Sequence, residues 1–520
     1  MPSTLIDEFS ASLAAFKAVT DLSNQSNTNT NIDNIINTNI NTNIDNNQIL
    51  IEGLRQTFSG RLFTDVPNMA GYLIDWRKHY QGQALSVVEP INTEEVANIV
   101  RFCAKYAINI IPQGGNTSLS GGSVPNPTGK NIVISLKRLN NIREIDIDNY
   151  TMTVEAGCIL QTIQTAAREV NRLFPLSLAS QGSCTIGGNL ATNAGGVQVL
   201  RYGNTRELCL GLEVVTAEGN IWHGLRSLRK DNTGYDLKDL FIGSEGTLGI
   251  ITAAVLKLFP LPAFKQVAWV AVQSTTHALQ LLTLSKQYAS DSLTAFELIS
   301  DNCLQLVLKQ FKQCRSPLKN PSPWYILLEV SENRPEESHK QYVYDTLCGI
   351  LKIALDTDLI LDAVVSDNEQ QFKHLWALRE YISAAQTLEG ANIKHDIAVP
   401  MSKIPTFIER TEHAIRASFP DTHLITFGHL GDGNLHYNVY HSKNSSDDCI
   451  PHQASINRIV HDVVDSLNGS ISAEHGLGVL RRDEAARYKS PVELALMLSI
   501  KQALDPHNRM NPDKVLLKKY

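Results

Sequence analysis

No CxxC pair, no apolar run of membrane-spanning length and no basic N-terminal stretch occur in these 520 residues. The eight cysteines (103, 158, 184, 209, 303, 314, 348 and 449) are scattered. That excludes a zinc ribbon or a cysteine-clustered iron–sulfur centre and points to reduced thiols in an intracellular protein. A transmembrane helix, which needs about 20 consecutive apolar residues, is not expected. The early acids Asp7 and Glu8 argue against a transit peptide. A cytoplasmic location is therefore expected, with loose docking on a membrane left open. Excess positive charge is missing too: a net charge of −7 and a pI near 6.1 argue against nucleic acid as the main partner. Neither GxGxxG nor GxxxxGK[ST] is present, and the nearest approach, Gly476-Leu477-Gly478-Val479-Leu480-Arg481, lacks the third glycine. What is left is a chain with 43% hydrophobic and 19% charged residues, long enough for two or three domains with sizeable cores.

Two segments carry dense chemistry. One is Phe427-Gly428-His429-Leu430-Gly431-Asp432-Gly433-Asn434-Leu435-His436-Tyr437-Asn438, and the other is Ser472-Ala473-Glu474-His475-Gly476. Three glycines make a helix over 427–433 unfavourable, so a loop followed by a strand is expected. On that strand His436 and Asn438 share a face. His429, His436 and Glu474 compose an open His2Glu set of the kind that holds zinc or another divalent metal and leaves positions for substrate. Asp432, in a Gly-Asp-Gly turn, is expected to hydrogen-bond the local backbone. His395 and Asp396 read as pocket-wall or structural residues.

Three further segments are rich in glycine and in Ser, Thr or Asn. They are Gln113–Ser123, which follows a short apolar strand, Gln181–Gly196 and Gly243–Ile250. A glycine-rich turn after a strand exposes backbone N–H groups that suit a pyrophosphate. Ordinary turns would explain any one of them. Three within about 140 residues are better explained by a large nucleotide cofactor contacted along its length.

Around these motifs the element order is legible. A tract rich in Asn, Thr and Ile, residues 24–47, repeats NTNI three times. It buries too little to offset its ordering entropy and is expected to be a disordered insertion, flanked by helices over 5–20 and 48–58. Strands are expected at 85–88, 108–111, 131–135, 151–155 and 210–217. A helix opened by Asn92, with Glu95 as capping partner, should bury Val96, Ile99, Val100, Cys103, Ala104 and Ala107. Another helix is expected over 159–171, and the first half closes near Pro260-Leu261-Pro262. Strands at 267–272, 293–299 and 325–330 and helices at 276–289, 337–351, 454–467 and 492–504 then imply an antiparallel sheet covered by helices.

The motifs PQGGNTSLSGGSVP, GSCTIGGNLATNAGG, RYGN, KDNTGYDLKDLFIGSEGTLGIIT, GHLGDGNLHYN and SAEHGLG occur in this order. With them the chain resembles flavoproteins of the vanillyl-alcohol-oxidase type, in the branch holding the D-lactate, glycolate and D-2-hydroxyglutarate dehydrogenases. The likeness runs from about residue 80 to the C-terminus and is strongest to the last of these. It implies an α+β protein: a two-subdomain α/β FAD-binding domain over 59–262, then an α+β substrate domain over 263–520 with an antiparallel sheet and C-terminal helices. Residues 1–58 precede both as a helical segment.

The resemblance also implies site residues. FAD would lie against Pro112, Gly114, Gly115, Asn116, Thr117, Ser118, Gly121 and Gly122, against Gly182, Ser183, Gly187, Gly188, Asn189, Asn193, Gly195 and Gly196, and against Glu245, Gly249 and Ile250. The first loop has no histidine, so non-covalent FAD is expected. Arg379 would bind the substrate carboxylate, with Ser383 one helical turn on and Lys394 as a second cation; Asn438 would orient the substrate. His429, His436 and Glu474 are implied metal ligands, zinc first, and His475 the base that takes the hydroxyl proton before hydride passes to flavin N5. The expected reaction is oxidation of a D-2-hydroxyacid, D-2-hydroxyglutarate ahead of D-lactate or glycolate. Electron-transfer flavoprotein, a quinone or a cytochrome would accept the electrons, and a homodimer is compatible. Two other classes share the flavin fold: a transferase resembling alkyl-dihydroxyacetone-phosphate synthase, and a flavin subunit of a larger complex.

Overall fold

The computed structural model describes residues 43–441 and 450–517. The chain forms two compact units, Met1–Ser59 and Gly60–Tyr520. In the first, the described element is a helix over Asn43–Arg55. The expected helix over 5–20 and the Asn/Thr/Ile tract up to residue 42 lie outside the described residues. Residues 43–47, expected to be disordered, are helical instead. Once Ile49, Leu50, Ile51 and Leu54 support a helix, adding residues upstream is cheap relative to nucleation. The helix ends three residues before the expected boundary, where the Thr57 hydroxyl donates to the Leu54 carbonyl.

The second unit contains three main sheets. The first has strands β1 (Arg61–Phe63), β2 (Ser86–Glu89), β3 (Asn109–Gln113) and β4 (Asn131–Ser135) in the order β1-β2-β4-β3. β2, β4 and β3 run parallel, with β1 antiparallel at the edge. β2 and β4 are buried along their whole length, with Val87, Val88 and Ile132–Ile134 as their apolar centres, as suits strands covered on both faces. The helix Thr93–Lys105 crosses from β2 to β3. Asn92 accepts the Glu95 N–H at its start and the Glu95 carboxylate accepts the Ile91 N–H. Val96, Ile99, Val100 and Cys103 are fully buried as expected. Ala107 is not: it lies past the helix end, exposed, with φ of 52°.

The second sheet is antiparallel, built from β5 (Ile142–Asp146), β6 (Thr151–Glu155), β8 (Cys209–Val215), β9 (Ile221–Gly224) and β10 (Ile250–Lys257) in the order β5-β6-β10-β8-β9. A small ribbon of β7 (Arg172–Leu173) and β11 (Phe259–Pro260) stands apart from it. The third sheet has seven antiparallel strands: β12 (Phe264–Val272), β13 (Leu293–Ser300), β14 (Trp324–Glu332), β15 (Asp362–Val365), β16 (Ile393–Ala398), β17 (Thr422–His429) and β18 (Asn434–His441). Their order is β15-β12-β14-β13-β17-β18-β16.

Alternation divides the third sheet's side chains between two cores. Ala268, Val270, Phe296, Leu298, Leu435, Tyr437 and Val439 face one layer of helices, including Thr275–Ala289, Glu337–Asp356, Ile404–Ser418 and Gln453–Ser466. Trp269, Ile299, Tyr325, Leu327, Ile425 and Phe427 face another, formed by Asp301–Gln310, Glu369–Glu380 and Ile382–Glu389. Each fully buried Leu, Ile or Phe contributes about 1.5–3 kcal/mol relative to exposure, so both layers are held firmly to the sheet. The chain then returns to the first sheet. Met510 bridges Ile110 in parallel, with hydrogen bonds from the Ile110 N–H to the Arg509 carbonyl (2.8 Å) and from the Asn511 N–H to the Ile110 carbonyl (2.8 Å). Among the described residues no helix is long and apolar enough to cross a membrane.

Candidate active site

The register of four adjacent strands assembles the site. Glu297 on β13 stands opposite His429 on β17, Phe427 on β17 opposite His436 on β18, and His436 opposite Asp396 on β16. One step along, Asn438 stands opposite Lys394. Because alternate residues share a face, Glu297, His429, His436, Asp396, Asn438 and Lys394 form one polar field on the sheet. The β17–β18 hairpin corrects one expectation: His429 closes a strand rather than lying in a loop. The turn itself needs Gly433, at φ of 90°, because a Cβ there would come within 2.4 Å of the Val399 carbonyl oxygen. Asp432 accepts the Asn434 N–H at 3.0 Å, the local role expected of it.

His429, His436 and Glu474 come together, with one ligand-type atom from each lying within 4.8 Å of the others. His429 Nε2 is 3.4 Å from Glu474 Oε1, while its Nδ1 is 2.7 Å from Glu297 Oε1. Burial works against a charge on His429, but Glu297 and Glu474 raise its pKa well above the usual value. Burial pushes His436 down to about 4, so it is neutral near pH 7, whereas His429 gives up a proton when it takes a metal. Two imidazoles and a carboxylate, one imidazole braced from behind by a buried acid, fit a divalent metal.

Asp396 organises the other side. Its carboxylate accepts the N–H groups of Glu474 (3.0 Å) and His475 (3.1 Å) and the Asn434 side-chain amide (3.0 Å). It also pairs with His475 Nδ1 at 3.0 Å, with Arg481 at 4.0 Å and with His436 at 3.9 Å. Burial would raise its pKa, yet His475 and Arg481 hold the carboxyl well below its ordinary range. With Nδ1 engaged, His475 has Nε2 left to take a proton, and its side chain is 30% exposed. Sequence reasoning missed Glu297 altogether and placed Asp396 only in a wall. The available signal was an acid at a mid-strand position between apolar neighbours, as in Ala295-Phe296-Glu297-Leu298-Ile299.

The substrate-side residues divide. Arg379 is buried, donates Nε–H to Glu297 Oε2 at 2.8 Å and lies over the Phe427 ring. Lys394 is half-buried, and among the described residues no carboxylate is within ion-pair distance of it. Ser383 does not share a continuous helix with Arg379. The helix ends at Glu380, Tyr381 interrupts it, and Ser383 is exposed on the next helix. The Asn438 amide is occupied internally: it donates to Gln386 at 2.8 Å and accepts the His395 N–H at 3.2 Å. It therefore braces β16 and the helix Ile382–Glu389. His395 is structural, bonded to the Tyr437 carbonyl and Asn457.

The three glycine-rich segments also meet. A Cβ on Gly115 would fall 2.2 Å from the Ser183 carbonyl oxygen, so only glycine allows the first loop to touch the second. Among the described residues the N–H groups of 114–119, in the loop after Pro112 at the end of β3, donate to no protein acceptor. Beside them Thr185 Oγ1 and Asn189 Oδ1 are buried without partners. A row of open amides and orphaned polar atoms fits the phosphates and polar edge of FAD. Gly182, Ser183, Gly187 and Gly188 lie on this second segment, and a Cβ on Gly195 would come 3.7 Å from Glu474 Oε1.

Several residues expected at the cofactor have side chains engaged elsewhere. Asn116 donates to the Gly71 and Ile74 carbonyls, and Asn193 caps a helix at φ of 50° while accepting the Arg206 N–H. Glu245 accepts the N–H groups of Leu477 and Gly478 at 2.7 and 2.9 Å. Ile250 is buried in the second sheet and Gly249 packs against Phe241 and Val214. These positions shape the loops; Glu245 in particular holds the segment that carries His475.

Comparison with known proteins identifies the family of the chain. The FAD binding domain profile matches residues 84–224, and the profile of FAD linked oxidases, C-terminal domain, matches residues 261–515. A protein named D-2-hydroxyglutarate dehydrogenase, mitochondrial, from Bos taurus is 37% identical over 467 residues, 90% of this chain and 83% of its own length. One named D-2-hydroxyglutarate dehydrogenase from Xanthomonas citri is 36% identical, covering 88% of this chain and 94% of its own. The chain belongs to the FAD-linked oxidase family and is an FAD-dependent hydroxyacid dehydrogenase within it. Its fold is of the vanillyl-alcohol-oxidase type. The crystal structure of p-cresol methylhydroxylase with substrate bound superimposes with a TM-score of 0.69 at 16% identity, covering 91% of this chain and 97% of that one. The cytoplasmic expectation is without support: the relative from Bos taurus is named as mitochondrial, and the name of that from Xanthomonas citri gives no location.

Proposed function

We propose that this protein oxidises D-2-hydroxyglutarate to 2-oxoglutarate. The observation that carries the reading is the gathering of His429, His436, Glu474, His475, Arg379 and Lys394 around one end of the third sheet. We assign flavin binding to 59–262 and substrate and metal binding to 263–520.

Arg379 and Lys394 supply two cations for a dicarboxylate. Glu297 fixes the Arg379 guanidinium through Nε and leaves its outer edge for a carboxylate. His475, oriented through Nδ1 by Asp396, takes the hydroxyl proton on Nε2. A divalent metal, zinc or another, would sit on His429, His436 and Glu474 and polarise the hydroxyl. Bound FAD supplies the acceptor for the hydride leaving Cα. Asn438 and Gln386 keep β16 and its Lys394 in register. Reoxidation would fall to an electron-transfer flavoprotein, a quinone or a cytochrome.

Anaerobic titration with D-2-hydroxyglutarate, followed in the visible flavin band, tests the reading. Bleaching by this compound, with little from D-lactate or the L-enantiomer, is the expected result. A band left unchanged by every D-hydroxyacid would overturn it in favour of transferase or complex-subunit chemistry.

A further inference from the structure

The segment that carries Glu474 and His475 is gripped twice. From the third sheet, Asp396 accepts the N–H groups of both residues. From the glycine-rich loops it is held by Ser120 and Glu245. Ser120, 1% exposed, stands in the first loop. Its hydroxyl donates to the His475 carbonyl at 3.0 Å, and its own carbonyl accepts the N–H groups of Val479 (2.9 Å) and Leu480 (3.2 Å). Glu245, in the third glycine-rich segment, uses both carboxylate oxygens, one on the Leu477 N–H and one on the Gly478 N–H. A carboxylate makes such bonds stronger than a neutral acceptor does. A Cβ on Gly478 would fall 2.2 Å from the Ser120 carbonyl oxygen, so only glycine lets the two chains come this close.

The connection continues to the nucleotide cradle. The Ser120 N–H donates to Ser118 Oγ at 3.3 Å, and the two hydroxyl oxygens are 3.2 Å apart. Ser118 belongs to the stretch 114–119 whose N–H groups are open for the FAD phosphates. Glu245 keeps its place in the left-handed region, at φ of 53°, where a residue with a side chain stays only if its surroundings hold it. Fixing the first loop thus fixes the acceptors of the turn 475–480, and fixing that turn fixes the loop. A ligand that binds at one end meets a chain already ordered by a ligand at the other and loses less conformational freedom.

We propose that Ser120 and Glu245 are positioning residues that couple the two halves of the site. FAD in its loops holds Glu474 and His475 in place, and a metal on His429, His436 and Glu474 tightens the hold on FAD by the same factor. This rests on the metal-site reading above.

The test uses the flavin-loaded enzyme with Zn²⁺ bound or removed by a chelator, diluted until FAD dissociates and read by the fluorescence of free FAD. Removing Zn²⁺ should raise the Kd for FAD about tenfold. In Ser120→Ala, which deletes one hydroxyl, and in Glu245→Gln that ratio should fall below about threefold, whatever the affinity for FAD itself becomes. With D-2-hydroxyglutarate and Zn²⁺ present, kcat of Ser120→Ala should fall about tenfold with KM changed less than about threefold, because His475 is displaced while Arg379 is not. A ratio near one in the wild type, with Zn²⁺ shown bound by metal analysis, overturns the coupling and leaves the metal site standing. The full ratio retained in Ser120→Ala, or KM raised there at unchanged kcat, removes Ser120 from the role. Flavin-loaded enzyme that binds no Zn²⁺ at all overturns the metal-site reading and the coupling with it.

Discussion

Glu297→Gln tests how far the site depends on one buried charge. The residue is fully buried in β13, with one carboxylate oxygen 2.7 Å from His429 Nδ1 and the other 2.8 Å from Arg379 Nε. Glutamine keeps the volume but sets an NH2 against one of two donors and leaves the Arg379 guanidinium buried without a counter-charge. Breaking a buried pair on one side costs about 3–5 kcal/mol. Losing the acid behind a ligating histidine lowers metal affinity about 10- to 100-fold. Urea denaturation of metal-free protein should show the stability loss as a lower midpoint at unchanged slope, and competition with a chelator should show the affinity loss.

The effect has a defined pH course. Burial would raise the Glu297 pKa, but His429 and Arg379 hold it down to about 2, against an ordinary 4.5. A depressed carboxyl stabilises the fold fully above its ordinary value and loses that contribution as pH falls towards the folded value. The gap between wild type and Glu297→Gln should therefore be complete above about 4.5 and close towards about 2. Equal midpoints near neutrality, with equal metal affinity, would refute the reasoning and make Glu297 a spectator.

Two further outcomes follow from the same geometry. His436→Ala should lose metal and activity while keeping flavin, since flavin rests on other segments; metal analysis beside the flavin spectrum checks this, and unchanged metal content would remove His436 from the ligand set. Lys394, lowered to about 8 by burial and then by Arg77, carries its charge below that pH and loses it above. The KM for a dicarboxylic substrate should accordingly rise from about pH 8 upward while that for D-lactate stays flat, and parallel profiles would deny Lys394 the second carboxylate.

Much of this architecture was legible in local pattern. The capping pair Asn92 and Glu95, the strands before the glycine loops and the apolar helices after residue 450 all carry their signal within a few residues. The donor set His429, His436 and Glu474 was also legible, because histidine and glutamate among glycines are chemically conspicuous. Long-range register was not. That Glu297 stands opposite His429 follows from pairing β13 with β17, strands more than 120 residues apart, and no local feature specifies it. Spacing also misled where it assumed continuity. Arg379 and Ser383 are four apart, but the break at Tyr381 leaves one buried and the other exposed. Asn438 does share the His436 face, yet Gln386 and His395 occupy its amide, and that is visible only once the helix Ile382–Glu389 is docked.

The return of the chain to the first sheet bears on how the protein is made. β3 and its glycine loop emerge early in synthesis, but the edge of β3 is closed only by Arg509–Asn511, and the Asn511 amide also holds the Gly122 and Glu245 carbonyls. The cradle for the nucleotide is therefore incomplete until residues 509–511 have joined β3. A premature stop or a proteolytic clip just before Arg509 would leave nearly every site residue in place and still yield a protein that loads its cofactor poorly. Cofactor capture in such a fold amounts to an inspection of the chain as far as Asn511.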